Sequence, residues 1–426
     1  MKNKVFALVD ANNFYASCER VFNASVHTKP IVVLSNNDSC VVARSNDIKP
    51  YVKMGQPVFE IAEVIRALDV QVFSSNYSLY ATLSARFKTV LSEFCPRQEN
   101  YSIDESYLDL THLFIDDLTA YGRTIKARVL QDTGIPVSVC FAATKCLTKI
   151  GMSVVKHNSS YQGVLDLTRL SEQVSDEVLA MVAIEEVWGI GHRYASFLRT
   201  HGIDTAKQLK YADERWIRKY LTVTGERIVL ELRGISCIPI EVARPPKQGI
   251  MSSKTFGTQI TTRNEMEEAL ANYAARAAEK LREQDSRASC VTIFIRTNSF
   301  KTDSLQYTNS YTITLPNPTS FTPDLIRSVL YGLKQIYQDG YSYYKAGVSL
   351  TKIKPHSALQ PDLFGQYTVT EQYKKARLML IVDAINRIYG RDTLFFARQG
   401  ISRTWRMRQN KLSQRFTTRW SEILTV

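Results

Sequence analysis

The run Tyr101-Ser102-Ile103-Asp104-Glu105-Ser106-Tyr107-Leu108-Asp109-Leu110 constrains this chain more than any other stretch. Tyr, Ile and Leu alternate with polar residues among strand formers, the pattern of a β-hairpin or strand pair. Two adjacent carboxylates, Asp104 and Glu105, sit in its middle. A carboxylate inside an apolar strand needs a cation or a hydrogen-bond network to offset its burial. The apolar run Val5-Phe6-Ala7-Leu8-Val9 also ends in a carboxylate, Asp10. One reading brings Asp10, Asp104 and Glu105 together around divalent metal. The other leaves Asp10 capping a turn and the pair on an exposed edge. Neighbours in a regular strand point to opposite faces. The metal reading therefore requires the backbone to turn there, with Asp104 the more central ligand and Glu105 at the edge.

With 426 residues, 44% hydrophobic and 22% charged, the chain has the composition of a soluble globular protein with roughly two to four domains. No apolar run approaches the roughly 18 residues of a membrane span, and Met1-Lys2-Asn3-Lys4 leads into a strand rather than a signal-peptide core. The seven cysteines include no Cys-x-x-Cys pair and the six histidines show no ligand spacing. A disulfide framework and a zinc ribbon are thus disfavoured, and a reduced, cytoplasmic setting is expected. The net charge of +13 is uneven: residues 1–117 hold 11 Lys/Arg against 14 Asp/Glu, whereas residues 366–426 hold 12 against 4. A basic second half favours a polyanionic partner, nucleic acid first.

Around the carboxylates the chain reads strand, helix, two strands, helix, strand, with roughly sixty residues inserted after the first strand. That is the order of a ferredoxin-like split β-α-β unit. The region 164–237 turns helical and irregular. There, Val187-Trp188-Gly189-Ile190-Gly191 precedes a helix from His192 to Thr200. A Gly-x-Gly turn opening a helix can offer backbone N–H groups to a phosphate; an ordinary helix–helix turn is the alternative. Val242 to Gly249 reads as a linker. The order strand-helix-strand-strand-helix-strand then recurs between Ser253 and Ile353, followed by a polar linker and a basic tail with one helix, Glu371 to Tyr389.

Several runs together resemble the Y-family translesion DNA polymerases, and within them the UmuC type, the catalytic subunit of bacterial DNA polymerase V. They are Val9-Asp10-Ala11-Asn12-Asn13-Phe14-Tyr15-Ala16-Ser17-Cys18-Glu19, Leu34 to Asp38, Phe73-Ser74-Ser75-Asn76-Tyr77, Tyr101 to Glu105, Val187 to Gly191, Tyr273 to Leu281, and Lys345-Ala346-Gly347-Val348. The resemblance covers essentially the whole length. It implies an α+β multidomain fold, a right-hand polymerase with a ferredoxin-like palm (residues 1–13 and 74–164), small fingers (14–73) and a helical thumb with a helix-hairpin-helix (165–240). A linker (241–250), a βαββαβ little-finger domain (251–355) and a basic C-terminal tail (356–426) carrying a clamp-binding peptide would follow.

The resemblance also implies error-prone, template-directed synthesis past damaged bases, without proofreading, in the DNA-damage (SOS) response. Asp10, Asp104 and Glu105, with the carbonyl of Ala11, would hold two Mg2+ ions. Tyr15 matches the steric gate that clashes with a ribose 2′-hydroxyl; otherwise it is a core aromatic. Lys49 and Lys156 match contacts to the dNTP, with a solvated lysine as the alternative. Gly189 and Gly191 would meet DNA, and Gln360, Leu363 and Phe364 a sliding clamp. Primer-template DNA, a UmuD-type dimer and a RecA filament are the implied partners. Ser39, the run Asp47-Ile48-Lys49-Pro50, Cys140 to Lys145 and Gly151 to Val155 depart from the family pattern, but none removes a metal ligand.

Two other functions compete. A metal-dependent nuclease or nucleotidyl cyclase could use the same carboxylates on the same core; the Gly-x-Gly module, basic second half and clamp-like peptide disfavour it. A catalytically silent DNA-binding scaffold would be favoured by loss of Asp10, Asp104 or Glu105, and all three are present.

Overall fold

The computed structural model describes residues 4–243, 245–301, 303–357 and 369–423. They fall into two compact units, one of residues 1–35, 39–244 and 410–426, the other of residues 36–38 and 245–409. The clamp-like peptide, Gln360 to Phe364, lies outside the described residues.

In chain order the strands of the first unit are β1 (Phe6–Ala11), β2 (Ile31–Leu34), β3 (Val41–Arg44), β4 (Gln71–Ser74), β5 (Gln98–Glu99), β6 (Glu105–Asp109), β7 (Val137–Ala142) and β8 (Val164–Asp166). One sheet has the order β5-β6-β1-β7-β8, with β1 antiparallel to both β6 and β7. The first four of these strands reproduce the ferredoxin-like arrangement, and β8 adds a fifth, parallel to β7. β1 is apolar until its end because it is covered on both faces. Ala7 and Val9 pack with Leu79, Leu83 and Phe87 of helix Tyr77–Phe94 and with Ile125 and Val129 of helix Leu118–Thr133. Leu8 faces the other way, towards Tyr107, Cys140 and helix Lys145–His157 through Met152 and Val155. Gly151 sits so close to the Cys140 sulfur that a Cβ would collide with it, which explains why this helix departs from an alanine-rich pattern there.

The helices begin and end on local chemistry. Asp117 accepts from the N–H groups of Thr119 and Ala120, and Gly134, at φ 71°, ends the same helix. Thr144 caps helix Lys145–His157 through the Leu147 N–H. A second small sheet, β3-β2-β4, is built from residues inserted after β1. Residues 172–232 form helices Glu172–Ala180, His192–Thr200, Ala206–Lys210 and Glu214–Leu232 around Leu198, Ile217 and Val229.

The second unit carries β9 (Ile250–Ile260), β10 (Ser286–Arg296), β11 (Thr308–Thr319) and β12 (Tyr343–Pro355), with helices Arg263–Glu283 and Thr322–Ile336. Its element order matches the first sheet's, yet its strand order, β11-β10-β12-β9, puts the first strand at an edge. The recurrence seen in the sequence is one of element order, not topology. Helix Val369–Ile388 joins this unit: Asp383 takes a two-pronged hydrogen bond from Arg282, and Trp405 is buried against Phe256 and Tyr273. No described helix is long and apolar enough to cross a membrane.

Candidate active site

Asp10 and Glu105 stand opposite one another in the β1–β6 register. Opposed residues on antiparallel neighbours share a face, so both carboxylates lie on the face covered by helix Lys145–His157. Asp104 precedes β6 in a bend over Ser102–Asp104. The Ser102 hydroxyl donates to Asp104 Oδ1 and accepts from the Glu105 N–H. The Asp104 carbonyl accepts from the Ala11 N–H at 2.8 Å, tying the bend to β1. The bend frees Asp104 from the alternation that would turn it away from Glu105.

The helix above meets these acids with lysines. Lys149 pairs with Glu105 at 2.5 Å and Lys156 with Asp10 at 2.7 Å, while Lys145 pairs with the buried Glu99 at 2.7 Å. Positions 145, 149 and 156 recur at helical spacing, one stripe over the sheet. Burial pushes the Asp10 carboxyl up to about 7, although the Lys156 ammonium opposes the rise; the neighbouring Glu105 adds to it. Burial also acts to raise Glu105, but Lys149 outweighs it and the carboxyl stays below its ordinary value. The Asp10 Oδ1 is buried and makes no hydrogen bond of good geometry, even with the Lys156 ammonium beside it. Among the described residues no three carboxylate, imidazole or thiolate groups already stand in ligating array. The donors nonetheless fit a hard divalent cation: carboxylate oxygens on one face, one of them desolvated and favouring ionisation only beside positive charge.

A cavity of about 380 Å³ opens beside them, lined by Asp10, Ala11, Asn13, Phe14, Tyr15, Val42, Ala43, Arg44, Lys49, Met54, Ile103, Asp104 and Lys156. The lining carries two acids, Asp10 and Asp104, and three cations, Arg44, Lys49 and Lys156, of which Lys156 pairs with Asp10. Tyr15 is half-buried and stacks on Tyr80, ring centroids 4.3 Å apart and planes 16° apart, with Tyr77 edge-on at 6.2 Å. Burial raises the Tyr15 hydroxyl's affinity for its proton. Burial, and then the nearby Arg44 cation, lower that of Lys49.

Two residues escaped the sequence reading. Arg44 ends β3 with two buried guanidinium nitrogens, Nε and one Nη, that find no hydrogen-bond partner among the described residues. Lys149 bridges to Glu105 and lies over the Tyr101 ring at 4.8 Å. The 145/149/156 spacing could have revealed Lys149; nothing in the sequence around Arg44 distinguishes it from a surface arginine.

Gly189 and Gly191 lie apart from this group. Gly189 has φ 90°, and a Cβ would stand 2.7 Å from Ile228 Cδ1, so both backbone and space demand glycine. Gly191 precedes helix His192–Thr200 at an exposed N-terminus that no described side chain caps.

A model of the impB/mucB/samB family matches residues 9–153 and one of that family's C-terminal domain residues 247–363; a domain of unknown function (DUF4113) matches residues 376–426. The chain is 41% identical to Protein UmuC of Salmonella typhimurium strain LT2, covering 99% of this chain and 100% of that protein. It is 39% identical to Protein ImpB of Salmonella typhimurium (98% and 99% covered) and 25% identical to DNA polymerase IV of Oceanobacillus iheyensis (92% and 91%). A solved chimera of Y-family DNA polymerases superposes with a TM-score of 0.65 at 20% identity, covering 82% of this chain and 99% of its own. By full-length similarity and fold, the chain belongs to the impB/mucB/samB family of Y-family translesion DNA polymerases, UmuC type, and is a DNA-directed DNA polymerase of the DNA-damage response.

Proposed function

We propose that Asp10, Asp104 and Glu105, with the Ala11 carbonyl, hold two Mg2+ ions at which dNTPs are added to a primer 3′-hydroxyl. Family membership implies a divalent metal in general and binding of primer-template DNA; the ion count, identity and ligands are our reading. The observation that carries it is the facing pair Asp10–Glu105, both on the helix-covered face and each matched by a lysine. When bound, the ions would activate the 3′-hydroxyl and neutralise charge on the in-line phosphoryl transfer. The chain's own groups do the rest. Lys49, Lys156 and Arg44 receive the triphosphate, the unpaired Arg44 nitrogens being satisfied by its oxygens. Tyr15 bars a 2′-hydroxyl by occupying its space. Ser102 holds Asp104 in its rotamer.

In this reading residues 1–13 and 74–164 are the palm, 14–73 the fingers, 165–240 the thumb and 251–355 the little finger. The N–H groups at Gly189 and Gly191 donate to a DNA phosphate. Gln360, Leu363 and Phe364 engage a sliding clamp, the protein works in the cytoplasm, and a UmuD-type dimer and a RecA filament are its partners. Primer extension opposite an abasic site, with Mg2+, dNTPs and those partners, tests the whole: extension past the site is expected, and none under any of these conditions overturns it.

A further inference from the structure

The run Phe73-Ser74-Ser75-Asn76-Tyr77 has no place in the chemistry above, yet it receives the C-terminal segment within the first unit. Leu412 pairs in parallel with Ser74 and so extends the edge of β4. The Ser74 N–H donates to the Lys411 carbonyl and the Lys411 N–H to the Ser74 hydroxyl, each at 2.9 Å. Asn76 uses both ends of its amide. Its oxygen caps helix Tyr77–Phe94 through the Leu79 N–H, and its nitrogen donates to the Ser413 hydroxyl and to the Ser413 and Gln414 carbonyls. Phe416 stacks on Phe22, centroids 5.0 Å apart.

This docked segment reaches the nucleotide cavity through one buried acid. Glu19 is 2% exposed; its Oε1 accepts from the Tyr80 hydroxyl at 2.5 Å. The Ser413 hydroxyl lies beside the same carboxyl, although Oε2 has no hydrogen bond of good geometry. Tyr80, fully buried, is the ring on which Tyr15 stacks. A ring that selects by steric clash works only while it resists displacement. Tyr15 is backed by a tyrosine whose hydroxyl is fixed by Glu19, beside which Ser413 lies, while Phe416 and Phe22 pack against the same apolar cluster as Tyr80 and Tyr15.

We propose that residues 411–416 are a working part of the sugar-selecting wall, and that Ser413, Phe416, Glu19 and Tyr80 are positioning residues for Tyr15. This rests on Tyr15 being the gate. The test uses the full chain on primer-template with a dideoxy-terminated primer, which needs no turnover, and compares Kd for the matched dNTP and rNTP; unblocked primer gives the corresponding kcat/KM ratio. Phe416→Ala and Tyr80→Phe are expected to lower the dNTP preference by on the order of tenfold, which corresponds to about 1.4 kcal/mol, and Ser413→Ala by a smaller factor of about threefold. In a Tyr15→Ala background the same changes should have no further effect, because they act through that ring.

An unchanged preference in both Phe416→Ala and Ser413→Ala, with Tyr15→Ala abolishing it, would overturn the positioning role and leave the gate standing. Additive effects with Tyr15→Ala would overturn it as well. If Tyr15→Ala itself preserves the preference, the gate reading fails and this proposal with it. Should Phe416→Ala not fold, Ser413→Ala, which removes one oxygen, decides the matter by the same ratio.

Discussion

Asp10 and Glu105 face each other across two antiparallel strands, and a single helix supplies the cation for each: Lys156 for the first, Lys149 for the second. Two carboxylates this close resist joint ionisation. The lysines lessen that repulsion, and burial still holds the Asp10 carboxyl up to about 7. Such a pair is stabilised as two anions by further positive charge, which makes it suited to a divalent ion.

Metal removal should therefore stop the reaction without dismantling the protein. EDTA is expected to abolish primer extension, and excess Mg2+ to restore it, while the circular-dichroism spectrum is unchanged. The lysine pairs and the packed sheet remain to hold the strands when no ion is bound.

Arg44→Ala should weaken nucleotide capture. Arg44 lines the cavity wall that also carries Lys49, and two of its guanidinium nitrogens are buried with no hydrogen-bond partner among the described residues. Losing a charge-assisted hydrogen bond costs roughly 1.5–3 kcal/mol, so KM for the dNTP should rise about tenfold to a hundredfold. Affinity for primer-template, measured by fluorescence anisotropy, should stay the same.

Glu19 should make stability depend on pH. Burial raises its carboxyl from 4.5 to about 7, against the opposing hydroxyls of Tyr80 and Ser413, with the Cys18 thiol as its titratable neighbour. Below pH 4.5 the folded and unfolded chains both hold the proton. Between 4.5 and about 7 the unfolded chain releases it while the folded chain retains it, so stability falls; above 7 the deficit is constant. Glu19→Gln does not titrate. Its stability relative to the parent should rise by on the order of 2–3 kcal/mol from pH 4.5 to 7.5, read as the difference between their denaturant midpoints at each pH.

The two glycines of the Gly-x-Gly turn should respond differently. Gly189→Ala must place a Cβ at φ 90° and against Ile228, whereas Gly191 has open space around it. Gly189→Ala should cost roughly 1–3 kcal/mol. Gly191→Ala should stay within about 0.5 kcal/mol. Denaturation followed by the fluorescence of Trp188 and Trp216, both in this helical region, compares them.

The element order around Asp104 was legible because strands and helices here carry clean periodicities. The bend beside Asp104 was legible too, since strand alternation keeps neighbouring acids from sharing a face if both are to reach one metal. What stayed hidden depends on pairing across long separations. That β9 takes an edge while β1 takes a centre is decided by packing, not by element order. Arg44 gains its character from what fails to reach it. The tail's place on β4 is set by Ser74 and Asn76, more than three hundred residues earlier in the chain, and no local pattern announces it.

Asp104→Asn tests the central claim most directly. It keeps the shape of the bend and an oxygen for the Ser102 hydroxyl but removes the charge proposed to bind metal. Single-nucleotide extension in Mg2+, run beside an anisotropy measurement of primer-template affinity, should show extension reduced by at least about a thousandfold, the scale of roughly 4 kcal/mol in the barrier, with DNA affinity unchanged. Extension at the parent rate by Asp104→Asn would contradict the metal assignment.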